Sequence, residues 1–264
     1  MTEEPHVHTE IEGSVGKIVL NRPRVKNAFS DQTIAQIDEA LVSAIENPDL
    51  RILVITGAGN TFSAGADLGW MKASVKWSPE QNRADALNLA SMLSRIEESP
   101  KPIVARIEGA CFGGATGIVA ACDIAIASEN SLFAFSEARL GIAPALISPY
   151  LLRKLGSRVC REYFLTGKRF SAPEAAAIGL VNRTVPEDEL DVAVEKTVNH
   201  LLACGPQAQL AIKELIARVP ELPRNEQAAY TASVIARLRA GEEGQEGMGA
   251  FFEKRPASWV TKWR

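Results

Sequence analysis

The sequence has few of the residues on which metal and nucleophilic chemistry usually depend. It holds only three histidines and four cysteines in 264 residues. The cysteines at 111, 122, 160 and 204 show neither C-x-x-C spacing nor the density of a disulfide scaffold, and the histidines lack a third metal ligand nearby. We therefore expect no metal site, and we interpret the cysteines as reduced core thiols of a cytoplasmic protein.

The sequence also lacks an excess of positive charge and a long apolar run. Lys and Arg total 29 against 32 Asp and Glu, which gives a net charge of −3. A nucleic acid or an anionic membrane surface would require a dense cationic patch. No apolar stretch reaches the roughly 18 residues of a membrane span, and the polar N-terminus does not resemble a signal peptide. The sequence predicts a protein that binds neither nucleic acid nor membranes.

Strand-like and helix-like segments alternate in the first half of the chain. Apolar patterning predicts strands at 15–20, 51–56, 102–107 and 124–127, and helices at 31–46, 79–99 and 113–121. Such alternation is typical of parallel βα units and predicts an α/β fold. After residue 148 the segments are helical, with one strand-like stretch at 180–185. We predict a core over residues 1–200 and a helical region over 201–264 that packs on a neighbouring copy.

A loop of small residues follows the predicted strand at 51–56. It contains Thr61-Phe62-Ser63-Ala64-Gly65-Ala66-Asp67. Small side chains let a ligand approach main-chain N–H groups, although an ordinary tight loop has the same composition. A nucleophile elbow requires glycine at the position of Thr61, and a serine nucleophile also requires a histidine base. The loop therefore does not predict a serine hydrolase.

A glycine-rich turn joins the predicted strand at 102–107 to the predicted helix at 113–121. A helix that begins at such a turn directs unpaired N–H groups and its positive end toward an anion or a developing oxyanion. Glycines 109, 113, 114 and 117 do not give the G-x-G-x-x-G spacing of a dinucleotide site, and no Gly-Lys-Ser/Thr follows. Close packing of helix on strand remains the alternative interpretation.

Together with six further landmarks, these two segments resemble the enoyl-CoA hydratase/isomerase (crotonase) superfamily along nearly the whole chain. The landmarks lie at 21–23, 27–28, 62–68, 109–114, 121–126, 135–142, 177–181 and 251–255. The resemblance implies a spiral of ββα units, followed by C-terminal helices that assemble homotrimers or homohexamers. It also implies an acyl-CoA substrate, with coenzyme A present only as part of that substrate and no separate cofactor.

The resemblance implies a role for each segment. The N–H groups of Ala64 and Gly114 are expected to bind the thioester oxygen, and such a donor typically contributes about 3–4 kcal/mol to transition-state stabilisation. Phe251 and Lys254 match positions expected at the adenine and 3′-phosphate of CoA. The full set of residues implied in substrate or CoA binding is Lys26, Ala28, Ala64, Gly65, Ala66, Asp67, Leu68, Gly113, Gly114, Phe251 and Lys254.

The resemblance also implies an acid–base pair, of which only one member is present. The glutamate that supplies the proton at Cα matches Glu137, and its apolar neighbours Phe135 and Leu140 favour a carboxyl that keeps its proton longer. The glutamate that orients water is expected three residues after Gly114. The residue there is Gly117.

This departure leaves several functions open. Family members similar to methylglutaconyl-CoA hydratases also have glycine at this position, and a substrate carboxylate would then help to place the water. A single glutamate suffices for a Δ3/Δ2 double-bond shift, and the oxyanion hole alone suffices for decarboxylation. A catalytically silent acyl-CoA-binding member is the non-enzymatic alternative. We predict an enoyl-CoA hydratase, a carbon–oxygen lyase.

Overall fold

The computed structural model describes residues 4–264 and has the predicted α/β architecture. The predicted strands and helices of the first half are present, with ends that differ from the prediction by at most one residue. The described strands are β1 (Val7–Glu12), β2 (Val15–Leu20), β3 (Ile52–Gly57), β4 (Ile103–Ile107), β5 (Ala110–Phe112), β6 (Ile124–Ser128), β7 (Leu132–Ala134), β8 (Arg169–Ser171) and β9 (Arg183–Val185).

Side-chain caps mark the start of some of the helices. Ser30 accepts a hydrogen bond from the Thr33 N–H at the start of α1, and Ser78 forms a capping box with Gln81 at the start of α3. The described helices are α1 (Asp31–Glu46), α2 (Leu68–Ser74), α3 (Pro79–Glu98), α4 (Gly114–Ala121), α5 (Ser148–Thr166), α6 (Ala172–Ala177), α7 (Leu190–Leu202), α8 (Pro206–Arg218), α9 (Arg224–Ala240) and α10 (Glu242–Glu253). Among residues 4–264, no helix is long and apolar enough to cross a membrane.

Two sheets organise the core. The larger has the strand order β1-β2-β3-β4-β6-β9, in which β1 pairs antiparallel to β2 and the other neighbours are parallel. The smaller has the order β5-β7-β8. Because parallel strands are covered on both faces, the first four residues of β3 are all apolar: Ile52 and Val54 face one cluster, and Leu53 and Ile55 the other. The carboxyl ends of β3 and β4 lead into the two glycine-containing loops.

The C-terminal part differs from the prediction in one respect. The short strand β8 interrupts the predicted helical run; its three residues pair with β7 and are too few to give a pattern. Within that run the sequence predicts two separate helices, at 148–155 and 158–165. Two helical segments are present in α5, and they are separated at Gly156, whose backbone is not helical (φ 76°).

The last residues of the chain return to the larger sheet. Trp263 is 6% exposed and packs with Val15, Ile52 and α7, and its ring N–H donates to Glu12 at 2.9 Å. The predicted boundary after residue 200 falls inside α7, which packs on that sheet. The division into 1–200 and 201–264 stays a prediction.

Candidate active site

An apolar pocket of about 190 Å³ lies between the two glycine-containing loops and the segment before α5. Glu137 is the only ionisable residue that lines it in the described part of the chain. The lining consists of Phe29, Ile34, Ala66, Trp70, Leu89, Gly114, Glu137, Ile142, Ala143, Pro144, Ala145, Leu146 and Ile147. The structure therefore brings Gly114, Ala66 and Glu137, three of the predicted site residues, to one cavity.

The loop at 63–67 is held by hydrogen bonds to residues 26–29. The Ala64 N–H donates to the Lys26 oxygen at 2.9 Å, the Phe29 N–H donates to the Gly65 oxygen at 2.7 Å, and the Asp67 N–H donates to the Phe29 oxygen at 2.7 Å. Phe29 and Ala66 thus form a parallel bridge. In such a bridge the N–H of the central residue points away from its partner strand.

This pairing corrects the predicted donor in the loop. The Ala64 N–H is already bound to Lys26 and is not free for a ligand. Ala66 is exposed and lines the pocket, and within residues 4–264 its N–H has no hydrogen-bond partner. The geometry therefore favours Ala66, two residues further along, as the donor that faces a ligand.

Positive φ angles at two glycines shape the donor loops. Gly65 has φ 93°, and a Cβ there would lie 3.1 Å from the Phe112 oxygen. Gly113 has φ 54°, and its N–H donates to the Ala134 oxygen at 2.9 Å. L side chains rarely adopt such angles, so glycine allows these close approaches of backbone to backbone.

Gly114 supplies the second free donor. It is the first residue of α4, whose first-turn N–H groups have no partner within the helix. Over the described residues, no hydrogen bond engages the Gly114 N–H. The helix dipole adds a positive potential at the same end. The N–H groups of Gly114 and Ala66 are thus both without a partner among the described residues, at the lining of the same pocket.

Glu137 lies beside this turn at the start of a short 3₁₀ helix, Glu137–Leu140. Its Oε1 would be 3.4 Å from a Cβ placed on Gly113, and its Oε2 is buried without a hydrogen-bond partner. Burial raises the pKa of the Glu137 carboxyl above its ordinary value. A half-buried carboxyl of raised pKa in a cavity is suited to general acid–base chemistry.

At residue 117, where the second glutamate was expected, the structure leaves no space for a side chain. Gly117 is buried in α4, and a Cβ there would lie 2.3 Å from Ile147 Cγ2 and 3.4 Å from Leu93 Cδ1. Real Cβ atoms do not approach so closely, so Gly117 is required for the side chain of Ile147 to occupy its present position. An apolar wall stands where a second carboxylate was expected.

Asp67 holds the loop from its other side. Its Oδ1 accepts hydrogen bonds from the N–H groups of Gly69 and Trp70 at the start of α2, and its Oδ2 pairs with Arg22 at 3.0 Å. Both carboxylate oxygens are therefore occupied within the chain.

The residues expected to contact CoA are more dispersed. Lys26 is exposed beside the loop and Ala28 is buried, whereas Leu68 is 83% exposed at the start of α2. Phe251 (78% exposed) and Lys254 lie at the end of α10 and do not line the pocket of a single chain. The structure does not bring these two together with Glu137.

Sequence reasoning did not identify the wall at 142–147 as part of the site. This irregular segment supplies nearly half of the lining. The signal in the sequence was weak: Pro144 lies between two alanines in a segment without helical or strand periodicity, which indicates an irregular loop but not a pocket lining. The side chain of Arg139, two residues after Glu137, does not line this pocket. It lines a second cavity together with Arg169, and its Nε donates to the Gly167 oxygen at 2.8 Å.

The fold and the site define an α/β protein with a pair of free backbone N–H groups and one carboxyl around an apolar pocket. Residues 10–262 match the family model for enoyl-CoA hydratase/isomerase, and the chain belongs to that family. It is similar to mevalonyl-coenzyme A hydratase of Aspergillus fumigatus (36% identical; 92% of this chain and 90% of the relative). It is also similar to carnitinyl-CoA dehydratase of Salmonella enteritidis (33%; 96% and 97%).

Solved structures confirm the predicted crotonase-like fold. An enoyl-CoA hydratase structure from Shewanella pealeana is 39% identical and superposes with a TM-score of 0.93, with 96% of each chain covered. These identities show the family and the fold of the chain, but they do not show that it shares the substrates of these relatives.

Proposed function

We propose that the protein catalyses the reversible addition of water to an enoyl-CoA thioester. The observation that carries the proposal is the position of Glu137 at the same pocket as the free N–H groups of Ala66 and Gly114. The names of its relatives, which include a hydratase and a dehydratase, support the same class of reaction.

In this proposal the two N–H groups donate to the thioester oxygen. Addition of a nucleophile at Cβ moves negative charge onto that oxygen, so both hydrogen bonds are stronger in the enolate than in the ground state. Each preorganised donor of this kind is worth about 3–4 kcal/mol in transition-state stabilisation. The apolar lining strengthens the effect because it excludes water from the charged oxygen.

Glu137 then carries both proton transfers. As a carboxylate it accepts a proton from water, whose oxygen forms the bond to Cβ while the Cα=Cβ electron pair moves toward the thioester. The protonated carboxyl next delivers that proton to Cα, and the carboxylate is restored. The raised pKa of Glu137 suits this cycle, because a carboxylate of higher pKa is a stronger base toward water and holds the proton until it is delivered to Cα.

The pocket favours an uncharged acyl group. A substrate with a second carboxylate, such as a methylglutaconyl thioester, would place that charge in an apolar pocket beside the buried Ile147, with no cation among the described lining residues of a single chain. An unpaired buried carboxylate is strongly unfavourable. We therefore propose a short, uncharged enoyl-CoA as the substrate and the methylglutaconyl thioester as the comparison that tests this.

The test is a panel of thioesters assayed in ¹⁸O-labelled water. Crotonyl-CoA is expected to gain one labelled oxygen at Cβ and to react faster than a methylglutaconyl thioester. Faster hydration of the methylglutaconyl thioester would contradict the choice of substrate. No labelled product from any 2-enoyl-CoA would contradict the hydratase proposal.

The single carboxylate also favours a second candidate, a Δ3/Δ2 double-bond shift. One carboxyl can remove a proton from C2 and return it to C4, with no need for water. Conversion of 3-enoyl-CoA to 2-enoyl-CoA without ¹⁸O uptake would identify this activity. Binding of acyl-CoA with no turnover of either class would identify a catalytically silent member.

We also propose that the C-terminal helices join copies of the chain into trimers or hexamers. Large apolar side chains are exposed on α8 and α10, including Ile216 (70%), Phe251 (78%) and Phe252 (78%). Exposed apolar groups of this size are typical of interaction surfaces. Assembly would also place Phe251 and Lys254 near the CoA of a neighbouring copy. Sedimentation of the intact protein tests the proposal, and a monomer at micromolar concentration would contradict it.

A further inference from the structure

We propose that Arg22 is a positioning residue for the Ala66 N–H donor and acts through Asp67. The inference rests on the proposed function, since it assumes that this N–H binds the thioester oxygen. It assigns a role in catalysis to a side chain that does not line the pocket.

Arg22 joins the two segments that carry and hold the donor. Its Nη1 donates to the Ala28 oxygen at 2.7 Å and lies 3.0 Å from Asp67 Oδ2. The side chains of Arg22 and Asp67 are both only 19% exposed. An ion pair with this degree of burial is less screened than the more exposed pairs elsewhere in the protein.

Asp67 transmits this contact to the donor and to α2. It follows Ala66 directly, and its N–H forms the bridge to Phe29. Burial acts to raise the pKa of Asp67, but hydrogen bonds from the Trp70 N–H, Arg22 and the Gly69 N–H outweigh it and hold the pKa below its usual value. Asp67 is thus a charged anchor immediately after the donor.

The segment on which Arg22 lies is itself rigidly held. Asn27 is 1% exposed, and its Nδ2 donates to the oxygens of Thr61 at 2.6 Å and Ala58 at 2.9 Å. Its Oδ1 accepts from the Arg22 N–H at 2.8 Å. Lys26 and Asn27 both have positive φ, a strained arrangement that persists only where the surroundings impose it. Arg22 therefore links a fixed frame to the donor loop.

Loss of this link is expected to lower kcat more than it weakens binding. The Phe29 bridge would still hold the loop, but the Ala66 N–H would lose its fixed direction. Because a misplacement of about 1 Å can cost about 100-fold in rate, we expect Arg22→Ala to lower kcat by about 10- to 100-fold. We expect KM to change by less than about threefold, because the hydrogen bond from this donor is stronger in the enolate-like transition state than in the bound ground state.

The experiment combines kinetics with a carbonyl probe that does not react. Butanoyl-CoA labelled with ¹³C at the thioester carbon reports hydrogen bonding to its oxygen as a downfield shift of the bound ¹³C resonance. The wild type is expected to show the shift, Arg22→Ala to show a smaller one, and Arg22→Lys to recover part of it. Asp67→Asn retains an oxygen that caps α2 but removes the charge, so it is expected to behave like Arg22→Ala.

The matched control is Arg95→Ala, which removes an ion pair between α1 and α3 with an N–O distance of 2.6 Å. Its ¹³C shift and kcat are expected to equal those of the wild type. Unchanged ¹³C shifts in folded Arg22→Ala and Asp67→Asn would overturn the positioning role while leaving the proposed function intact. If Arg22→Ala does not fold, the ¹³C shift of the probe bound to Asp67→Asn alone tests the positioning role. Absence of a downfield shift in the wild type would instead overturn the two-donor site itself.

Discussion

The two sides of the pocket are built on different principles. On one side, Ala66 and Gly114 present backbone N–H groups whose positions follow from pairing with Phe29 and from the start of α4. On the other, Ile147 and its neighbours form an apolar wall whose fit depends on side-chain volume and on the absence of a Cβ at Gly117.

This difference bears on the proposed reaction. In that proposal the polar side binds the thioester oxygen, an atom common to all acyl-CoA substrates, and the wall contacts the variable acyl group. At the wall, Ile147 Cγ2 occupies the space beside Gly117 that a second carboxylate would need. Changes on the polar side are therefore expected to alter rate, and changes on the wall to alter stability and choice of substrate.

The largest effect is expected on the polar side. Glu137→Gln keeps the shape of the side chain but removes the proton acceptor, so kcat is expected to fall by about 10²- to 10⁴-fold. Affinity for butanoyl-CoA, measured by calorimetry, is expected to stay within about threefold of the wild type. Glu129→Gln, at an exposed carboxylate, is the control and should leave kcat unchanged. Full activity in Glu137→Gln would remove Glu137 from the mechanism.

The next effect concerns the wall. Gly117→Ala forces a Cβ against Ile147 and is expected to lower the free energy of unfolding by about 1–3 kcal/mol. Gly249→Ala is the matched control in α10, because a Cβ there meets no atom within 4 Å. The helix propensity of alanine is expected to stabilise that variant by up to about 1 kcal/mol. Denaturant unfolding measures both, and equal changes at the two sites would contradict the steric account.

A smaller effect tests the steric contact between residues 117 and 147 directly. If Ile147 Cγ2 is the atom that excludes a Cβ at residue 117, then Ile147→Ala relieves part of the clash. The double variant Gly117→Ala/Ile147→Ala is expected to be more stable than the sum of the single changes predicts, by about 1 kcal/mol. Strict additivity in the four unfolding measurements would show that the two residues are not in conflict.

The smallest effect is the dependence of stability on pH. Burial raises the pKa of Glu137 in the folded state, so its contribution to stability is fully present below the unfolded pKa and is lost as pH rises through the folded pKa. Glu137→Gln is therefore expected to gain on the order of 1 kcal/mol relative to the wild type at pH 7 to 8. That gain should shrink as the pH falls through the raised pKa of the folded state and should be absent below about 4.5, the ordinary pKa of a glutamate. A gain independent of pH would point to packing rather than charge.

Much of the fold could be predicted because its signals are local. The apolar run of β3, the helical face of α1 and the cap at Ser78 each lie within a few consecutive residues. The strands β5, β7 and β8 could not, because each has only three residues and exists through pairing with another segment. Strand β1 lies at the edge of the larger sheet and is mostly polar, with only its first residue buried. Its apolar patterning is therefore too weak to predict a strand.

The candidate site shows the same limit. The two glycine-containing loops and Glu137 stand out in the sequence because small residues and a carboxyl in an apolar context are unusual. Whether Ala64 or Ala66 presents its N–H to the pocket depends on hydrogen bonds to Lys26 and Phe29, nearly forty residues earlier. No property of the loop itself distinguishes the two alanines, so the wrong one was predicted.

The contact between Trp263 and Glu12 joins residues 251 positions apart. Proteins are synthesised from the N-terminus, and early segments begin to fold before later ones exist. If the β1–β2 hairpin and β3 form during synthesis, they do so before α7 and Trp263 are available to cover them. We therefore expect the apolar side chains of Val15, Ile52 and Val54 to be open to solvent in the nascent chain and this face to be prone to aggregation until synthesis is complete.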